Sequence, residues 1–164
     1  LRALMRYKVV PPVRDVAFLY AASEALPVVP GSVEDCCTRI RDATDLPSRD
    51  VAREFLTFLE ALGLAAEARR GYHRVRDPPD EGDLPATFRK RVYAVEELLA
   101  ALEAAEDPLD PAAAFEAVRD VVPRWERDRH ADWEAVWTDR VERLLDWAVV
   151  FDLATRSDEG YRPA

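Results

Sequence analysis

FLEALGLAAEARRGYHRV, residues 58–75, holds the end of a helix, a stop signal and a hairpin. Phe58, Leu59 and Leu62 continue a helical apolar stripe that begins at Val51 and Phe55, the spacing of a helix with one face in a core. Gly63 stands where a helix closes through a left-handed residue, which glycine adopts without steric cost. Beyond it, Leu64 to Ala68 and Tyr72 to Val75 read as two short strands around Arg69-Arg70-Gly71, a hairpin turn.

Upstream, the same logic gives two more helices. Val13 to Ala25 has Val16, Ala17, Leu19, Tyr20 and Ala22 at helical spacing, and Pro27 ends it. Leu26 to Pro30 is extended, because a residue preceding proline avoids the helical region. Ser32 is an N-cap, with Glu34 and Asp35 in the first turn, where the helix dipole favours carboxylates. That helix runs to about Ala43. After the turn Asp45-Leu-Pro-Ser48, Ser48 caps a third helix reaching Leu62. The order helix, short strand, helix, turn, helix, hairpin resembles the winged helix-turn-helix family. The resemblance rests on Ser32 to Cys36, Leu46 to Val51, Phe58 to Leu64 and Arg70-Gly-Tyr72. It implies a fold that is mainly α with small β-hairpins, the wings, and a third helix of the recognition type.

The pattern recurs. At an offset of 89, Gly71-Tyr72 meets Gly160-Tyr161, Leu56 meets Leu145, Phe58 meets Trp147, Leu62 meets Phe151 and Leu64 meets Leu153, which reads as a duplication. The breaker-rich segment 78–85 is the expected linker. It divides the chain into a first winged-helix unit, 1–77, and a second, 86–164. In the second unit a helix is expected over Thr87 to Ala105, and another opening at Asp110-Pro111 and interrupted by Pro123. A long final helix should start near Asp132, followed by strands Leu153 to Arg156 and Tyr161 to Pro163.

The two units differ in charge. Residues 1–78 hold 12 basic and 11 acidic side chains, and residues 79–164 hold 11 and 21. Net charge is −9, and only Lys8 and Lys90 are lysine. Acidic, lysine-poor composition resembles that of proteins from salt-loving archaea, where carboxylates keep the surface hydrated and salt screens their repulsion. Cys36 and Cys37 are adjacent, a poor geometry for a bridge, and no His cluster completes a metal site. A core-facing free thiol and a reducing, cytoplasmic compartment are expected. No run of apolar residues is long enough to span a membrane. Arg2, Arg6 and Lys8 precede no long apolar stretch with a cleavage site, so no secretory signal is read, and Met5 is a candidate start.

Chemistry is sparse. Five glycines assemble neither a nucleotide loop nor a dinucleotide fingerprint, and no Gly-x-Ser-x-Gly elbow occurs. His73 and His130 each sit beside arginine and read as surface or contact groups. An enzyme and a cofactor are not expected. The third helix offers Ser48, Arg49, Arg53 and Thr57, the last three at four-residue spacing on one face. Arginine there can read guanine bidentately in the major groove, worth about 1–3 kcal/mol of discrimination. Arg69, Arg70, His73 and Arg74 in the wing could meet phosphates or the minor groove. The first unit is therefore expected to bind duplex DNA in a regulator-like role. The second places Asp139, Glu142, Asp146 and Ser157-Asp158-Glu159 at the corresponding positions and is expected to pack, dimerise or hold a protein partner. A tandem scaffold binding proteins without DNA is the alternative.

Overall fold

In a computed structural model, the structure describes Tyr7 and residues 9–164. The readings on Arg2, Met5, Arg6 and Lys8 lie outside the described residues. The chain divides into two compact units, 1–92 and 93–164. Each is mainly helical and ends its helical core in a two-stranded antiparallel hairpin.

The first unit contains α1 (Val16–Glu24), α2 (Val33–Ala43), α3 (Arg49–Ala61), β1 (Ala65–Ala68), β2 (Gly71–Arg74) and α4 (Leu84–Arg91). Local chemistry sets its helix starts. The side chains of Asp15, Ser32 and Ser48 accept from Phe18, Asp35 and Val51 backbone N–H groups, each satisfying a donor that the first turn leaves without a partner. The α3 stripe drives its packing, with Phe55, Phe58, Leu59 and Leu62 all buried alongside Leu19 and Ile40. Phe55 lies 4.9 Å from Phe18, and Phe58 meets Phe88 of α4 edge to face at 6.2 Å. The α3 end is a Schellman closure. Gly63 has φ of 81°, its N–H reaches Glu60 at 3.1 Å, and Leu64 N–H reaches Leu59 at 2.8 Å.

The wing is anchored by a third piece of backbone. Gly31, just before the α2 cap, exchanges two hydrogen bonds of 2.9 Å with Tyr72. Gly71 has φ of 147°, and a Cβ there would lie 1.9 Å from the Gly31 carbonyl oxygen. Cys36 and Cys37 are both buried free thiols, and burial raises both above the ordinary thiol range. The Cys36 thiol donates to the Gly31 and Tyr72 carbonyls at 3.6 and 3.5 Å.

The second unit contains α5 (Val95–Ala104), α6 (Pro111–Ala117), α7 (Arg124–Arg129), α8 (Trp133–Val150), β3 (Ala154–Ser157) and β4 (Gly160–Pro163). It repeats the first in detail. Asp110 caps α6 through the Ala113 N–H. Leu109 exchanges hydrogen bonds of 2.9 and 2.8 Å with Tyr161, as Gly31 does with Tyr72. Asp152, with φ of 59°, takes the position of Gly63 in an equivalent helix closure. Gly31 and Leu109 are 78 residues apart, whereas the hairpins are 89 apart, so the second copy carries eleven extra residues before α8. These include α7.

Two expectations are corrected. The helix expected over 87–105 is two helices. Val92 is extended, and Ala94 is left-handed with φ of 73°. Tyr7 pairs with Val92 in a parallel bridge, its N–H reaching the Arg91 carbonyl at 2.9 Å. Val92, Val95, Leu98, Leu99 and Leu102 are all buried, so their apolar spacing runs straight across a break that a distant backbone contact fixes. Consequently α4, assigned from sequence to the second unit, belongs to the first compact unit, and residues 78–85 already include a short 3-10 turn at Glu81–Asp83.

Candidate nucleic-acid interface

The residues at the start of α3 serve different ends. Ser48 is the N-cap, its Oγ accepting from the Val51 N–H at 3.2 Å. Arg49 donates from Nε to Glu34 Oε1 at 2.5 Å and lies 3.7 Å from Asp50, tying the first turn of α3 to the first turn of α2. The guanidinium holds the Glu34 carboxyl below the usual carboxylate range. One turn on, Arg53 is exposed. Thr57 is half-buried and donates its hydroxyl to the Arg53 carbonyl at 3.2 Å. Asp50, Glu54 and Val9 border Arg53 and Thr57 in a shallow groove of about 320 Å³. The row 49, 53, 57 therefore shares a face as its spacing requires, but its charge is mixed and Arg53 is its exposed cation.

The wing residues also separate. Arg69 and Arg70 are exposed at the turn between β1 and β2. His73 and Arg74 lie at the opposite end of β2. His73 Nδ1 donates to the Arg74 carbonyl at 2.9 Å. Arg74 donates to the Glu24 carbonyl at the end of α1 at 3.4 Å, and its backbone N–H reaches the Pro27 carbonyl at 3.0 Å.

Sequence reasoning missed the partners of these groups. Glu34 shows only as a first-turn acid. Tyr7 donates to Glu60 on α3 and stacks 5.5 Å from the Arg91 guanidinium, and burial with the Glu60 carboxylate raises its phenol to about 12. No local pattern links residues 7, 60 and 91. Tyr72 is likewise raised, by burial and by its hydrogen bond to Glu67.

In the second unit the equivalent face is closed by its own wing. Arg156 of β3 reaches Asp146 at 2.7 Å and Glu142 at 2.9 Å, both on α8. Tyr161 of β4 donates to Asp146 at 2.5 Å. At the repeat offset of 89, Arg53 corresponds to Glu142, Glu67 to Arg156, Arg69 to Asp158 and Arg70 to Glu159. Each pair has opposite charge. The two copies keep one backbone plan and invert the electrostatics of its outer face.

A family model described as the halobacterial double winged helix domain matches residues 5–164. The chain belongs to this family. The match spans both units of this halobacterial double winged helix chain, in agreement with the tandem architecture and with the acidic, lysine-poor surface. No curated protein and no solved structure matches this double winged helix chain. Among its described residues no helix is long and apolar enough to cross a membrane, and no group of three or more His, Cys, Asp or Glu is placed to hold a metal ion.

Proposed function

We propose that the first winged helix binds duplex DNA, giving the protein a regulator-like role, while the second serves packing, dimerisation or a protein contact. The observation that carries this reading is the charge inversion between equivalent outer faces. Arg53 on α3 and Arg69 and Arg70 on the wing are exposed cations in the first unit, where the second has Glu142, Asp158 and Glu159. Arg53 is positioned for base edges in the major groove, and the wing arginines for phosphate, which supplies affinity without sequence information. Arg49 contributes by keeping α2 and α3 in place through Glu34, and Ser48 by capping α3. A like face lined with carboxylates repels phosphate, so the second unit does not read DNA.

The test is fluorescence anisotropy of labelled duplex across a potassium chloride series, comparing the intact protein with the triple variant Arg53→Ala, Arg69→Ala, Arg70→Ala. Binding that falls with salt is expected, and the variant should lower the slope of log K against log salt by about 2–3, close to 0.9 for each phosphate contact removed. An unchanged variant, or no binding at any salt that keeps the protein folded, overturns the proposal.

A further inference from the structure

A groove in the first unit lies apart from the exposed arginines at the wing turn. Its volume is about 550 Å³, and it runs between the end of α1, the Val28 turn and the segment after β2, a size suited to a small molecule. Its polar groups are of both signs. Arg76 is exposed on one side and Glu24 on another, and Arg74 spends one of its donors on the Glu24 carbonyl. Val28, 63% exposed, and Val75 supply apolar surface. Ser23 also lines the groove. Its residue is 5% exposed, and no hydrogen bond to its hydroxyl is made among the described residues. A buried hydroxyl without a partner is costly, and a ligand that engages it recovers that cost.

We propose that this groove binds a small zwitterion with an aliphatic side chain, an α-amino acid of valine or leucine size. The ligand carboxylate pairs with Arg76 and accepts from the Ser23 hydroxyl. The ammonium pairs with Glu24, and the side chain lies against Val28 and Val75. Two opposite charges beside an apolar wall fit such a molecule better than a simple anion, which Glu24 would repel.

The experiment is isothermal titration of the full chain, without DNA, with L-leucine, N-acetyl-L-leucine, L-leucinamide and glycine. Leucine should bind saturably, and each of the other three about tenfold more weakly or worse. Glu24→Gln should weaken leucine about tenfold and leave N-acetyl-leucine unchanged, and Arg76→Ala should weaken leucine while sparing leucinamide. Both residues are exposed, and an unchanged thermal transition verifies that each variant folds. No saturable heat at millimolar leucine, equal binding of leucine and N-acetyl-leucine, or leucine binding indifferent to both substitutions overturns the proposal. DNA takes no part in the titration, so failure of the DNA reading leaves this result standing, and the reverse holds too.

Discussion

Asp152 holds a left-handed backbone that Gly63 holds in the first unit. A side chain in that region is strained, although Asp tolerates it better than most residues. Asp152→Gly is expected to stabilise the protein by about 0.5–1 kcal/mol and Gly63→Ala to destabilise it by about 1 kcal/mol, read from denaturant midpoints at fixed salt. Gly71 and Gly160 are more constrained, because strain and space act together. A Cβ at Gly160 would lie 2.5 Å from the Leu109 carbonyl oxygen. Gly71→Ala and Gly160→Ala should each lose on the order of 1–3 kcal/mol from backbone strain alone, with a further loss from displacing the anchoring bridge. A melting temperature within error of the parent would refute that account of the repeated Gly-Tyr pair.

At the scale of elements, α3 and α8 are the same helix used in two ways. The N-cap of α3 is separable from any DNA contact, and Ser48→Ala is expected to cost about 1 kcal/mol in stability. The α8 face depends on its wing instead. Burial, then the bond to Asp146, raises the Tyr161 phenol above its ordinary value near 10. A group whose pKa is higher folded than unfolded gives stability that is complete below the unfolded value and lost as pH rises through the folded one. Stability should therefore decline above about pH 10, and Tyr161→Phe should make that decline shallower while costing about 1 kcal/mol at neutral pH for the lost hydrogen bond. Urea midpoints from pH 8 to 11 measure both. A decline equally steep in the variant would exclude Tyr161 from the alkaline linkage.

At the scale of the whole molecule, charge is divided unevenly. Residues 1–92 hold 15 basic and 14 acidic side chains, and residues 93–164 hold 8 and 18. Self-repulsion in the second unit is relieved by salt, whose screening length shrinks to about 3 Å at 1 M. Thermal stability should therefore rise with potassium chloride while DNA affinity falls with it, and melting curves with anisotropy over one salt series would show the two trends diverging. A stability that drops with salt would contradict the repulsion argument. The helices with strong caps, the two hairpins and the duplication were legible in the sequence because caps, periodicity and Gly-Tyr turns are local codes. They act over a few residues and leave their mark in spacing. Tertiary contact decided what local codes cannot carry. The chain breaks at Val92–Ala94 because Tyr7, far away in sequence, pairs with it. Arg49 is committed to Glu34 because α2 and α3 pack together. The α8 carboxylates are engaged because β3 brings Arg156 back to them. By itself, then, the sequence determined the elements and their repetition, where short-range sterics and hydrogen bonding dominate. Which charges remain exposed depended on long-range packing, and only the folded chain settled it.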